Sequence, residues 1–149
     1  MKPHYLFLLL LPLFSCQKEG IAHFEKSDFE NNRWYKTQPI TLTFENKTPQ
    51  KASIYFNLGY VYGSQFAEIP LEIYITNPLH QIDKIPVTLR LFNKDKKELG
   101  DCMGDFCDIT QLLAENYTFD EIGRYKIQIL NTFSHAYLPN VNSVAVHVN

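Results

Sequence analysis

Charge of one sign is scarce in this 149-residue sequence: 14 Lys and Arg stand against 16 Asp and Glu, a formal net charge of −2. Its densest basic stretch is Lys94-Asp95-Lys96-Lys97. A protein that tracks a phosphate backbone needs a clustered basic surface, so nucleic-acid binding is not expected. Long hydrophobic runs are also missing. The longest, Tyr5 to Phe14, is broken by Pro12, whereas a membrane-spanning helix needs about 20 apolar residues. Catalytic signatures are absent as well: there is no Gly-x-Ser-x-Gly, no glycine-rich phosphate loop and no His-x-x-x-His. Ser134-His135 is only a neighbour pair, and His23, His80, His135 and His147 are scattered along the chain. The sequence is therefore expected to carry no catalytic residues, no resident metal and no cofactor.

What the sequence does have begins at its first residues. Lys2 precedes the greasy run Tyr5 to Phe14, which ends at Ser15-Cys16, and a run of that length fits the apolar region of an export signal. Leu13-Phe14-Ser15-Cys16 resembles a bacterial lipobox, in which the cysteine is lipidated and becomes the new N-terminus. Residues 1–15 then read as a signal peptide, Cys16 as the lipidation site, and 16–30 as a polar tether. The competing reading is an ordinary secretory signal that leaves Cys16 as a thiol or a disulfide partner. Two or three acyl chains on one cysteine would hold a domain stably on a bilayer, where a single chain holds it only marginally.

The remainder, 31–149, suits one domain, and a composition of 45% hydrophobic and 14% aromatic residues is too apolar for a disordered chain. Its periodicity is two. Ile40, Leu42 and Phe44 alternate with polar neighbours, as do Ala52, Ile54, Phe56 and Leu58, then Leu71, Ile73 and Ile75. The same holds for Val87, Leu89 and Leu91, for Tyr125, Ile127 and Ile129, and for Val144, Val146 and Val148. Such alternation predicts half-buried antiparallel strands. Turn-forming stretches separate them: Asn46-Lys47-Thr48-Pro49, Asn77-Pro78, Asn93-Lys94-Asp95-Lys96 and Pro139-Asn140. One short helix is expected through Gln111 to Glu115, capped by Asp108 or Thr110. The fold class is therefore all-β: an antiparallel β-sandwich, immunoglobulin-like or jelly-roll-like, with at most one short helix. Glu121-Ile122-Gly123-Arg124-Tyr125 has the spacing of a tyrosine corner, in which the phenol bonds to upstream backbone. Ile127 stands where an immunoglobulin cysteine would fall.

Cys102 and Cys107 bracket Met103-Gly104-Asp105-Phe106. In an exported chain two thiols this close read as a disulfide, ahead of free thiols or a metal site. Asp101, Asp105 and Asp108 could hold Ca²⁺, but the EF-hand spacing is missing, and a solvated acidic loop is the better reading. Trp34, Tyr60 and Tyr62 are candidates for partner contact, because tyrosine and tryptophan supply rigid amphipathic area. The competing reading places such aromatics in the core. An exposed aromatic platform would suit a glycan or another surface ligand, and that is the alternative function.

The order of the strong segments resembles the gliding-motility lipoprotein H (GldH) family of Bacteroidetes. The likeness runs from Phe29 to Asn149 and rests on Trp34, on Leu99-Gly100 followed by Gly104-Asp105, on Gly123 through Ile129, and on Leu138 through Val144. Tyr60 to Pro70 and the Cys102/Cys107 pair depart from the family pattern. The resemblance implies a non-enzymatic accessory lipoprotein of the gliding machinery, associated with the secretion system that exports adhesins and lipid-anchored at the outer membrane. It implies protein partners in that apparatus and carries over no active-site residues. Gln17-Lys18-Glu19 is similar to the short charged signals that display such lipoproteins on the cell surface; a plain hydrophilic tether would leave the domain facing the periplasm.

Overall fold

The computed structural model describes residues 20–149. The export signal and Cys16 lie outside the described residues. Two antiparallel sheets enclose one apolar core. The first contains β1 (Ala22–Lys26), β4 (Gln50–Val61), β7 (Asp101–Met103), β8 (Phe106–Phe119) and β11 (Val141–Val148), in the order β1-β11-β4-β8-β7. The second contains β3 (Ile40–Asn46), β5 (Glu68–Thr76), β6 (Ile82–Arg90) and β9 (Gly123–Asn131), in the order β3-β9-β5-β6. A small ribbon pairs β2 (Arg33–Tyr35) with β10 (Tyr137–Pro139).

The alternation read from the sequence is the alternation of burial. Ile54, Phe56 and Leu58 of β4 face inward with Val144, Val146 and Val148 of β11, against Ile73 and Ile75 of β5 and Ile127 and Ile129 of β9. Each fully buried side chain of this size contributes about 1.5–3 kcal/mol relative to exposure. Removing water from both inner faces is therefore the main favourable contribution to the fold.

The turns obey the chemistry of their residues. In Asn77–Gln81 and again in Asn93–Lys97, the asparagine Oδ1 accepts the N–H groups two and four residues on, at 2.9–3.0 Å. His80 and Lys96, at the equivalent positions, take positive φ of 63° and 59°. A side-chain acceptor that mimics backbone is why asparagine opens both hairpins. The tyrosine corner also forms: the Tyr125 phenol oxygen accepts the Glu121 N–H at 3.0 Å. Tyr125→Phe keeps the packing and leaves that N–H without its acceptor. We expect a loss of about 1–2 kcal/mol in chemical unfolding, and an unchanged midpoint would show that the bond does not contribute.

Three expectations are corrected by the fold. The helix expected through Gln111–Glu115 is strand, part of β8. Its buried residues Ile109 and Leu113 stand four apart, a spacing that both a two-residue and a 3.6-residue period accept. The exposed Leu112 beside the buried Leu113 decides for strand, as does pairing with the long β4. The one helical turn among the described residues is a 3-10 turn at Glu30–Asn32. Ala22–Lys26, expected to be part of a tether over 16–30, is instead β1, the edge strand beside β11. Ala22 and Phe24 pack toward the core while His23 and Glu25 are exposed, so five residues sufficed for a strand that looked like scattered apolar positions.

Trp34 and Tyr60 are the third correction, since they are 0% and 2% exposed and offer no surface for a partner. Trp34 stacks on Phe56 at 6.0 Å, lies near Phe29, and donates its indole N–H to the Gln38 carbonyl at 2.8 Å. Tyr60 projects inward from β4 beside Gly100, where an added Cβ would come within 2.5 Å of the phenol oxygen. The inward face of each strand claims these rings because burial of a large aromatic outweighs the cost of placing its one polar atom.

Candidate functional site

The side chains left exposed are better guides to function, and three of the exposed large apolar ones gather at one pole, while Leu79, Ile82 and Ile122 lie at the β5–β6 and β8–β9 turns. Tyr62 is 61% exposed, Met103 88% and Phe106 52%. The fold brings them together because Val61 pairs with Phe106, Phe106 with Met103, and the Tyr62 N–H donates to the Asp105 carbonyl at 2.9 Å. Gly104 opens the two-residue turn between β7 and β8 with φ of 62°, a position where a two-residue hairpin favours glycine. Of the candidates Trp34, Tyr60 and Tyr62, only Tyr62 is on the surface. Sequence reasoning missed Met103 and Phe106 as surface groups. Their place in a tight glycine turn was the available signal, since neither neighbour of such a turn can reach the core from its tip.

A disulfide ties this hairpin. Cys102 and Cys107 are direct cross-strand partners with Cα atoms 4.0 Å apart, and their sulfurs are bonded. Cys107 is buried while Cys102 is exposed. The Glu98 carboxylate lies within 4.8 Å of both sulfurs, but sulfurs bonded to each other are not thiolate ligands. Beneath the bridge, the Tyr60 hydroxyl and Glu98 Oε1 are buried and neither reaches a hydrogen-bond partner in good geometry. Burial pushes the Tyr60 phenol above its ordinary range, and the adjacent Glu98 carboxylate and Asp108 push it further. Asp101, Asp105 and Asp108 are exposed around the hairpin, as a solvated acidic loop would be.

A second surface lies beside the small ribbon. Phe66, Phe133, His135, Ala136, Tyr137 and Pro139 line a shallow cleft. Phe66 and Phe133 meet edge to face at 4.5 Å, and Tyr137 packs on Tyr35 at 5.4 Å with the Arg33 guanidinium 4.7 Å from its ring centre. Ser134 Oγ and His135 Nδ1 are 3.0 Å apart and exposed. Among the described residues no carboxylate hydrogen-bonds to His135, and the pair stays a neighbour contact.

On the flank of the sandwich, where β6 ends one sheet and β8 runs past the short edge strand β7 of the other, two backbone groups of β6 are already occupied. Gln111 Nε2 donates to the Thr88 carbonyl at 3.0 Å while the Arg90 N–H donates to Gln111 Oε1 at 3.2 Å. One side-chain amide thus occupies the backbone groups that an added strand would use. The Tyr117 hydroxyl donates to Asp83 at 2.6 Å across the same flank. Burial, then that carboxylate, pushes the Tyr117 phenol up.

Among the described residues no helix is long and apolar enough to cross a membrane. Solved structures similar to the chain share little sequence with it. The globular domain of zebrafish complement 1qA protein is 14% identical, over 87% of this chain and 94% of that one, with a TM-score of 0.42. A family 35 carbohydrate binding module from Clostridium thermocellum is 12% identical, over 83% and 90%, with a TM-score of 0.37. Eiger TNF from S. frugiperda is 8% identical, over 85% and 84%, with a TM-score of 0.35. No curated protein matches the chain. The GldH lipoprotein family model matches residues 22–148, from the first residue of β1 to the last of β11. The chain belongs to the GldH lipoprotein family.

Proposed function

We propose that this protein is an accessory lipoprotein of the gliding-motility machinery, held at the outer membrane by acyl chains on Cys16, that works by binding a protein partner rather than by catalysis. The observation that carries the reading is the polarity of the first sheet. The described chain begins at the end of the sheet where Ala22 pairs with Val148 and Val148 with Ile54. The exposed pole of Tyr62, Met103 and Phe106 adjoins Val61, at the other end of β4. Seven residues of strand separate Ile54 from Val61, about 23 Å at the usual rise. An anchor a few residues before Gly20 therefore leaves the apolar pole directed away from the bilayer that holds the protein. Its occupant is then a neighbour in the envelope, not the anchoring lipid. The disulfide holds the hairpin in its docking shape and lowers the ordering cost of binding.

The test uses two variants in the native cell. Cys16→Ser is expected to release the protein into the soluble fraction; retention on the membrane would overturn the anchor. Met103→Asp with Phe106→Asp is expected to leave envelope location and circular dichroism unchanged while abolishing spreading on agar and adhesin secretion. Wild-type spreading by that variant would remove the pole as the contact.

The aromatic cleft favours a second reading, in which a glycan stacks on Tyr137 and Tyr35 beside Arg33. Glycan titration of wild-type protein and Tyr137→Ala separates the two readings, and binding lost only in Tyr137→Ala would support the cleft.

A further inference from the structure

The histidines that the sequence scatters include two that the fold makes neighbours. His23 of β1 and His147 of β11 are direct cross-strand partners on the outer face of the first sheet. They are 124 residues apart in sequence. Their rings lie 4.4 Å apart between centres, and Nδ1 of one is 3.0 Å from Nδ1 of the other. We propose that His23 and His147, converging through their Nδ1 atoms, form a two-histidine site for a divalent first-row transition-metal ion, copper(II) foremost.

Two features of the pair support this. The first is the bite. Metal–imidazole bonds of about 2.0–2.1 Å at a right angle place two nitrogens about 2.9 Å apart, whereas a tetrahedral angle would place them about 3.4 Å apart. The observed 3.0 Å matches the right-angled arrangement of tetragonal copper(II) or nickel(II) sites, and copper(II) heads the affinity order for nitrogen donors. The second is the charge beside the pair: Glu25 Oε2 lies 3.8 Å from His23 Nε2, beyond hydrogen-bond range but close enough to place a negative charge next to a bound cation. Tyr55, the partner of His147 in β4, is the other titratable neighbour in this row of the sheet.

The remaining positions around the ion would be taken by water or by a group from a partner, because two protein ligands leave the coordination sphere open. The site would also act as a staple. It joins β1, an edge strand of five residues, to β11, the next strand of the sheet.

The test is a copper(II) titration of the full-length protein in detergent near pH 7.4, followed by calorimetry and electron paramagnetic resonance. The expected spectrum is that of a tetragonal centre with two equatorial nitrogens. Chelation by a fixed pair exceeds single-ligand binding by about 100-fold, so His23→Ala and His147→Gln should each weaken binding by about that factor. His80→Ala and His135→Ala should leave it unchanged. Thermal unfolding of each variant without metal verifies folding, and copper(II) should raise the melting temperature of wild type, His80→Ala and His135→Ala more than that of His23→Ala or His147→Gln. If copper(II) affinity is the same in wild type, His23→Ala and His147→Gln, the pair is a hydrogen bond only and the proposal is overturned. Equal loss in His80→Ala would overturn it as well.

Discussion

Trp34→Ala should destabilise the domain by about 3–5 kcal/mol, the usual range for deleting a large buried aromatic. The indole is fully buried, stacked on Phe56 and beside Phe29, and it fills space between the small ribbon and the first sheet. Alanine leaves a cavity that rigid strands on either side cannot close. The Gln38 carbonyl also loses its donor. Against a total stability of about 5–15 kcal/mol for a domain, the variant would lie near the edge of folding. Urea unfolding followed by tryptophan-independent circular dichroism measures it. Trp34→Phe should recover most of the loss, because it restores the ring contact and sacrifices only the hydrogen bond. An unchanged midpoint in Trp34→Ala would mean that the indole sits on the surface after all.

Asn46→Ala should be the next most damaging replacement, at about 2–4 kcal/mol, although alanine adds no bulk. Asn46 is one of two buried polar residues in the described chain, and its side chain is fully used. Nδ2 donates to the carbonyls of Phe119 and Glu121 at 3.0 and 2.9 Å, and Oδ1 accepts from Gln50 Nε2 at 2.7 Å. The asparagine at the end of β3 thus holds the end of β8 and the turn into β9 together. Alanine removes all three bonds and leaves two carbonyls with poor access to water, each costing about 1–3 kcal/mol. Asn46→Asp should be worse, since it turns a carboxylate oxygen toward those same carbonyls. Hydrogen exchange of the Asp120–Gly123 amides would locate the damage. Protection lost uniformly across both sheets, with none concentrated at that turn, would contradict the local account.

The particular residues explain which features the sequence disclosed. Six strands were legible because each has one face in the core and the other in water, and burial then writes itself as alternation: Ile54, Phe56, Leu58 and Val144, Val146, Val148 could serve no other architecture so simply. Turns were legible because Asn77 and Asn93 act on their own nearest backbone. β8 was misread because Ile109 and Leu113 satisfy two periods at once, and β1 because its identity depends on β11 lying alongside it. Trp34 and Tyr60 show the limit of arguing from residue type: aromatic amphipathicity permits either surface or core, and only the strand face decides. The His23 and His147 pair had no local signal at all. It exists through strand register, and a shift of one residue would place the two rings on opposite faces.

The placement of β1 also has a mechanical consequence. Its residues run from the end of the sheet where the described chain begins, at Ala22, toward the pole that carries Met103, with every residue from Ala22 to Lys26 paired to β11. Tension between the start of the chain and that pole is directed along the strand. Such a load strains all five pairs together in shear, whereas a pull across the sheet would open them one after another like a zip. A tethered domain that transmits pulling forces between a bilayer and a moving partner would thus be loaded in its stiffest direction.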